Sequence, residues 1–200
     1  MRVLLTDGHP DADRLSAHML DIYQQALPES AEIHRRAIRD LTFNPDLSRG
    51  YEDIPEMEPD LVEILDQIEA CDHLVLAFPL WWGGEPARMK GFWDRILLPG
   101  QAFQYHAKDL FWDRLLKGRS ADVLVSMDTP PAYLKLAYFN PVGWRYRRQV
   151  LGFVGFAPIR LSYFGMVRRG GAEKNLEKWR ARIRKLATSA TSLKRGTKLT

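Results

Sequence analysis

The chain has 200 residues, 46% hydrophobic and 27% charged, with a formal net charge of +4. That balance describes a globular domain able to bury a sizeable core, and excludes fibrous, low-complexity and disordered classes. A single cysteine, Cys71, excludes an internal disulfide and suits a reducing, cytoplasmic setting, and no apolar run is long enough for a bilayer-spanning helix, so no membrane insertion is expected.

The opening Met1-Arg2-Val3-Leu4-Leu5 runs directly into a strand and lacks the apolar stretch and cleavage site of a secretory signal. Arg2 to Thr6 reads as a buried strand and Gly8-His9-Pro10-Asp11 as a turn. Asp13 to Leu27 reads as a helix with Leu15, Met19, Ile22, Tyr23 and Ala26 on one face. Asp11 or Asp13 is placed to cap it, and Pro28 ends it. Ala31 to Ala37 alternates weakly as a second strand, followed by a long loop from Asp40 to Pro59. Asp60 to Cys71 is a helix by the spacing of Leu61, Ile64, Leu65 and Ile68, and Leu74 to Phe78 is a third strand. An aromatic loop leads to a helix from Pro86 to Leu97, then a long connection from Leu98 to Gly118.

Ala121 to Met127 is a fourth apolar strand. Asp128-Thr129-Pro130-Pro131 must be a loop, since two prolines cannot continue a ladder. Residues 132–155 read as partly helical with a break near Asn140-Pro141, Ile159 to Val167 as a fifth strand, and Glu173 to Ala190 as a final helix. Residues 191–200 are basic and aperiodic and are expected to be disordered. Strands alternating with helical crossovers predict one α/β domain over 1–190, a three-layer, doubly wound, five-stranded parallel sheet.

Chemistry concentrates at two loops. The first lacks the Gly-x-Gly-x-x-Gly dinucleotide fingerprint but offers His9, Arg14 and Ser16 around a helix start. Free N–H groups and the positive dipole end there suit a phosphate. The second, Phe78-Pro79-Leu80-Trp81-Trp82-Gly83-Gly84, sets a flat apolar wall beside approachable backbone N–H groups, as a planar heterocycle such as a flavin ring requires. The five histidines show no metal-site spacing, and neither a Gly-x-Ser-x-Gly elbow nor a phosphate loop occurs. Arginines and lysines gather in the C-terminal third, among them Arg145, Arg147, Arg148, Arg168, Arg169 and Arg180 to Lys185. No nucleic-acid reading motif accompanies them, so nucleic acid is not an expected partner.

His9-Pro10 with Leu15-Ser16, Asp40-Leu41-Thr42-Phe43-Asn44-Pro45, and above all the run from Pro79 to Asp94 resemble the flavin-dependent NAD(P)H:quinone oxidoreductases of the flavodoxin-like fold. Gly100, Ala102, Phe103 and Tyr105 resemble that family's next loop. The likeness covers residues 1 to 105, weakens to 165 and is absent in the tail. It implies a sheet of order 2-1-3-4-5. It also implies a flavin phosphate held by His9, Arg14, Leu15 and Ser16, with the flavin ring on Pro79, Leu80, Trp81, Trp82 and Gly83. Asp128 and Thr129 would close the other side, and Tyr105, His106 and Tyr133 would line the acceptor site, with His106 able to protonate a reduced quinone.

The implied reaction passes hydride from NADPH or NADH through the flavin, FMN or FAD, to a quinone-like acceptor. The family's usual twofold dimer would draw on Phe92, Trp93, Phe103, Tyr105, Phe111 and Trp112. Two other readings stay open: a flavoprotein accessory subunit of a potassium-efflux transporter, and an electron carrier without nicotinamide chemistry. Two departures stand out. Asp128-Thr129-Pro130-Pro131 replaces a stretch that commonly carries two threonines and two glycines, putting a carboxylate where it would repel a reduced flavin. Gly83 stands where a bulky aromatic is frequent.

Overall fold

The computed structural model describes residues 1–168 and 170–198. Five parallel strands, β1 (Arg2–Asp7), β2 (Glu32–Ala37), β3 (His73–Pro79), β6 (Ser120–Ser126) and β7 (Ile159–Phe164), form one sheet in the order β2-β1-β3-β6-β7. Without the short hairpin β4 (Phe103–Tyr105) and β5 (Trp112–Arg114) this is the expected order. The hairpin occupies the stretch read as a bare connection; three-residue strands are too short to show an alternation. The helices are α1 (Leu15–Gln25), α2 (Pro59–Ala70), α3 (Ala87–Ile96), α4 (Pro131–Leu136), α5 (Pro141–Arg145), α6 (Leu151–Val154) and α7 (Gly171–Ala190).

Alternation along the strands divides the core into two layers. Val3, Leu5, Val75, Ala77 and Leu124 pack against Met19, Leu20 and Tyr23 of α1 and Trp179, Ile183 and Ala187 of α7. Leu4, Leu74, Leu76, Phe78 and Val123 pack on the opposite face with Leu61, Ile64 and Ile68 of α2 and Met89 and Phe92 of α3. β3 and β6 are buried at every position, as central parallel strands are.

Two expectations are corrected. α1 starts at Leu15, not Asp13, because Asp13 sits at φ 54°, and neither Asp11 nor Asp13 caps it. β7 stops at Phe164 rather than Val167: Gly165 passes against Thr129 and Pro131, where a Cβ would lie 2.4 Å from Pro131 Cδ, and Met166 then turns through φ 63°. Two basic side chains of the C-terminal stretch contact the domain. Arg195 Nε donates to Ser120 Oγ at 2.7 Å, and Lys198 Nζ pairs with Asp72 at 2.7 Å. Arg169, Leu199 and Thr200 of the basic stretches lie outside the described residues.

Candidate active site

The strand order reverses between β1 and β3, and ligands of such sheets bind beyond the carboxyl ends of the strands at that point. A cleft of about 570 Å³ opens there, bounded by the connections that follow β1, β3, β6 and β7. A recess of about 690 Å³ beside α1 and α7 is lined by His18, Asp21, Arg35, Arg180 and Arg184 and includes Ala31 and Ile33 at the amino end of β2.

The first wall is the β1–α1 connection. Gly8 permits it: a Cβ there would lie 2.3 Å from Met89 Sδ and 3.0 Å from Phe78 Cβ. Buried Asp7 holds the turn, accepting the His9 N–H at 3.0 Å on one oxygen and Arg39 at 2.7 Å on the other. His9 Nδ1 lies 3.0 Å from the Asp11 N and 3.2 Å from the Asp11 O, so the Asp11 backbone fixes the ring in place. Partial burial pulls the His9 pKa down, against the opposing pull of Asp7, and favours the neutral ring. Asp11 is bound by Arg14, whose guanidinium holds the carboxyl below its usual range.

The α1 N-terminus is therefore uncapped by any side chain, and the first intrahelical bond is His18 N–H to Arg14 at 3.2 Å. The N–H groups before it have no partner within the helix. Ser16 is 1% exposed, and its Oγ has no hydrogen-bond partner among the described residues. A buried hydroxyl without a partner at an open helix start is costly unless something else binds it. The residues present thus fit a phosphate group.

The second wall is the aromatic loop. Trp82 and Gly83 have φ of 51° and 83°, and the turn is closed by Trp81 N–H to Gly84 O at 2.8 Å and Gly84 N–H to Trp81 O at 3.0 Å. A two-residue turn with both φ positive demands glycine at one position, which accounts for Gly83 where a bulky residue was the precedent. Trp81 meets the His9 ring edge-on at 5.6 Å, joining the first two walls. Leu80 donates its N–H to Ser126 O at 2.8 Å, and Trp81 donates to Gly84. The N–H groups of Trp82 and Gly83 at the turn make no hydrogen bond among the described residues. The loop leaves through Glu85, a buried carboxylate ion-paired with Arg145.

The third wall runs from Ser126 to Thr129 and is closed by Val167 and Arg168. Asp128 does not stand alone: its Oδ1 accepts the Arg168 N–H at 3.0 Å and its Oδ2 pairs with Arg168 Nε at 2.6 Å.

Of the expected site residues, His9, Arg14, Leu15, Ser16, Pro79, Leu80, Trp81, Trp82, Asp128 and Thr129 all line this one cleft, and Gly83 shapes it from the turn. Tyr105, His106 and Tyr133 do not. Tyr105 lies on β4 against Phe103, 5.1 Å between centroids, and lines a separate recess with Lys90, Arg145 and Phe153. His106 is held by Asp109 at 2.9 Å and Asp113 at 3.5 Å; desolvation, the largest single influence, lowers its pKa, but the hydrogen bonds and charges of the two carboxylates together outweigh it and raise it. Tyr133 stands on α4 against Tyr138, 5.4 Å between centroids. Ser126, Met127, Val167 and Arg168 were not foreseen; their signal is position, immediately beyond strands β6 and β7.

Residues 1–187 match the family Flavodoxin_2, described as a flavodoxin-like fold. The chain is 32% identical over 110 residues to an uncharacterized NAD(P)H oxidoreductase, YcaK, of Escherichia coli (strain K12), covering 51% of this chain and 55% of that protein. It is 30% identical over 156 residues to an FMN-dependent NADH:quinone oxidoreductase of Cereibacter sphaeroides, covering 73% of this chain and 76% of that one. The chain spans about half the length of the first curated relatives it matches. The solved NAD(P)H:quinone oxidoreductase from Methanothermobacter marburgensis superposes with a TM-score of 0.75 at 22% identity, over 94% of this chain and 98% of that one, a likeness of fold. With its sheet order, its cleft at the reversal point and a match over nearly its whole length, the chain belongs to the Flavodoxin_2 family of flavodoxin-like proteins.

Proposed function

We propose that this protein is an FMN-dependent NAD(P)H oxidoreductase acting on quinones or similar planar electron acceptors. One observation carries the proposal: a single cleft joins the open α1 N-terminus, with the partnerless Ser16 hydroxyl, to the Trp81–Trp82 wall. A phosphate-bearing planar cofactor requires both at once. The names of the two sequence relatives support the same reading.

When bound, the flavin would supply the acceptance and release of hydride. The chain's own residues bind and orient. The free N–H groups at the start of α1 and the Ser16 hydroxyl would hold the phosphate, and the His9 ring beside them can add a polar contact. Leu80, Trp81 and Trp82 supply the apolar wall, and the N–H groups of Trp82 and Gly83 can meet polar ring atoms. Thr129 and Asp128 bound the opposite side. The work is positioning, so no nucleophile or acid–base pair is called for. A role for Tyr105, His106 or Tyr133 at the acceptor would have to come from a second copy or from movement of their loops.

A homodimer is part of the proposal, with a changed footing. Phe92, Trp93 and Phe103 are core residues, 0%, 4% and 6% exposed, and cannot serve an interface. Trp112 stacks on Phe153 at 4.4 Å, which leaves Tyr105, Phe111 and neighbouring Leu110 on the surface. Sedimentation should give twice the 23.1 kDa chain mass; a fully active monomer would exclude the dimer. Among the described residues no helix is long and apolar enough to cross a membrane.

The test is the visible spectrum of protein gel-filtered after mixing with FMN or FAD, before and after anaerobic NADH or NADPH. Retained FMN that bleaches supports the proposal. Retained flavin reduced only by dithionite would mean a carrier or an accessory subunit, and no retained flavin would sink the reading.

A further inference from the structure

We propose that Arg168 sets the electrostatic balance of the cleft by neutralising Asp128, and thereby governs how much more tightly reduced than oxidised flavin is held. The inference rests on the flavin reading above. Among the described residues that line the cleft, Asp128 is the one carboxylate. Its loop has little of its own to offset that charge, because Pro130 and Pro131 carry no N–H. Two-electron reduction with uptake of one proton leaves a flavin ring with one negative charge. A bare carboxylate in the same cleft would oppose it, more strongly once the ligand has displaced water.

Arg168 supplies the opposing charge, and its place is fixed by backbone. Met127 N–H donates to Phe164 O at 3.0 Å and Val167 N–H donates to Met127 O at 3.2 Å, stitching the exit of β7 to that of β6. Arg168 then meets Asp128 twice, through its own N–H at 3.0 Å and its Nε at 2.6 Å. Among the described lining residues the other arginine, Arg14, is engaged by Asp11. The Arg168 side chain is 86% exposed, so the pair adds little to folding stability. Its removal is expected to leave the fold intact while leaving a net negative charge beside the ligand.

The experiment measures dissociation constants of oxidised FMN and of dithionite-reduced FMN, the latter anaerobically, for the full chain and three variants. In Arg168→Gln the ratio of oxidised to reduced dissociation constants should fall about fivefold, the range of a partly exposed charge pair. Arg168→Lys, which keeps the charge, should hold the ratio within about twofold. Arg168→Gln combined with Asp128→Asn should return the ratio to the original value or above it, and the midpoint potential of bound flavin should move in step. Equal changes in both constants for Arg168→Gln would mean a purely structural role and overturn the inference, as would a double variant that keeps the deficit. If the unmodified chain binds no oxidised FMN, the flavin reading itself fails, an outcome distinct from an unchanged ratio.

Discussion

The two ends of the sheet are built on opposite principles. At the amino-terminal ends of β3 and β6, the buried polar groups form a closed chain. Ser120 Oγ lies 2.8 Å from His73 Nδ1, His73 Nε2 lies 2.9 Å from the Tyr23 hydroxyl, and that hydroxyl donates to Asp122 Oδ2 at 2.6 Å. Arg160 closes the chain on Asp122 with bonds of 2.6 and 2.5 Å, and Arg195 closes it on Ser120. At the carboxyl-terminal ends, Ser16 Oγ is partnerless, the α1 start is uncapped, and Asp13, Trp82 and Met166 adopt positive φ. The satisfied end holds the fold together. The unsatisfied end stores open donors and strained backbone, which native proteins keep where a ligand will use them.

That contrast can be broken at either end. The largest expected effect is on the satisfied end: Asp122→Ala removes the buried carboxylate that Arg160 and Tyr23 share, leaving Arg160 with Ser189 and Leu186 O and Tyr23 with His73, and should cost about 3 kcal/mol in urea unfolding. The open end should behave in reverse. Ser16→Ala deletes a hydroxyl that bonds nothing, so unfolding should shift by no more than about 0.5 kcal/mol, while FMN affinity, read by fluorescence quenching, drops about tenfold through loss of a bond to a charged group. Loss of stability without loss of FMN binding in Ser16→Ala would dissolve the contrast.

A smaller effect is in pH. Burial holds the His73 pKa below the ordinary value of a histidine, against the pull of Asp122. The unfolded chain therefore binds that proton more readily, and stability should decline as pH falls below about 6.5. Burial lowers His9 in the same direction, so His73→Gln should make the urea midpoint less dependent on pH without abolishing the dependence. The smallest effect belongs to a residue at neither end: His106→Gln should leave FMN affinity unchanged in the isolated chain, and a severalfold loss would bring the β4–β5 hairpin into the cleft.

Much of the frame was legible because central parallel strands are uninterrupted apolar runs, as in Leu74 to Phe78 and Val123 to Val125. The cleft was legible where a loop carried its own chemistry: His9 and Ser16 at a helix start, Trp81 and Trp82 beyond a strand. Arg168 was visible only as charge, since its pairing with Asp128 depends on strands β6 and β7 lying side by side, a contact 40 residues apart in the chain. Tyr105, His106 and Tyr133 misled for the same reason. Residue type marked them as able to line an acceptor site, but their direction is set by a three-residue strand and a six-residue helix too short to betray themselves. Asp122 could have been suspicious, as a carboxylate inside an apolar strand needs a partner; that partner, Arg160, stands opposite it in the β6–β7 register.

Cys71 gives the molecule a practical property. Its thiol is buried, donates to Ile68 O at 3.2 Å and is pushed up to about 12 by desolvation. At neutral pH a maleimide therefore finds no thiolate to attack. A cysteine introduced by Leu110→Cys, at a position 95% exposed, would be the one site to carry a dye or spin probe, with the native thiol left in place.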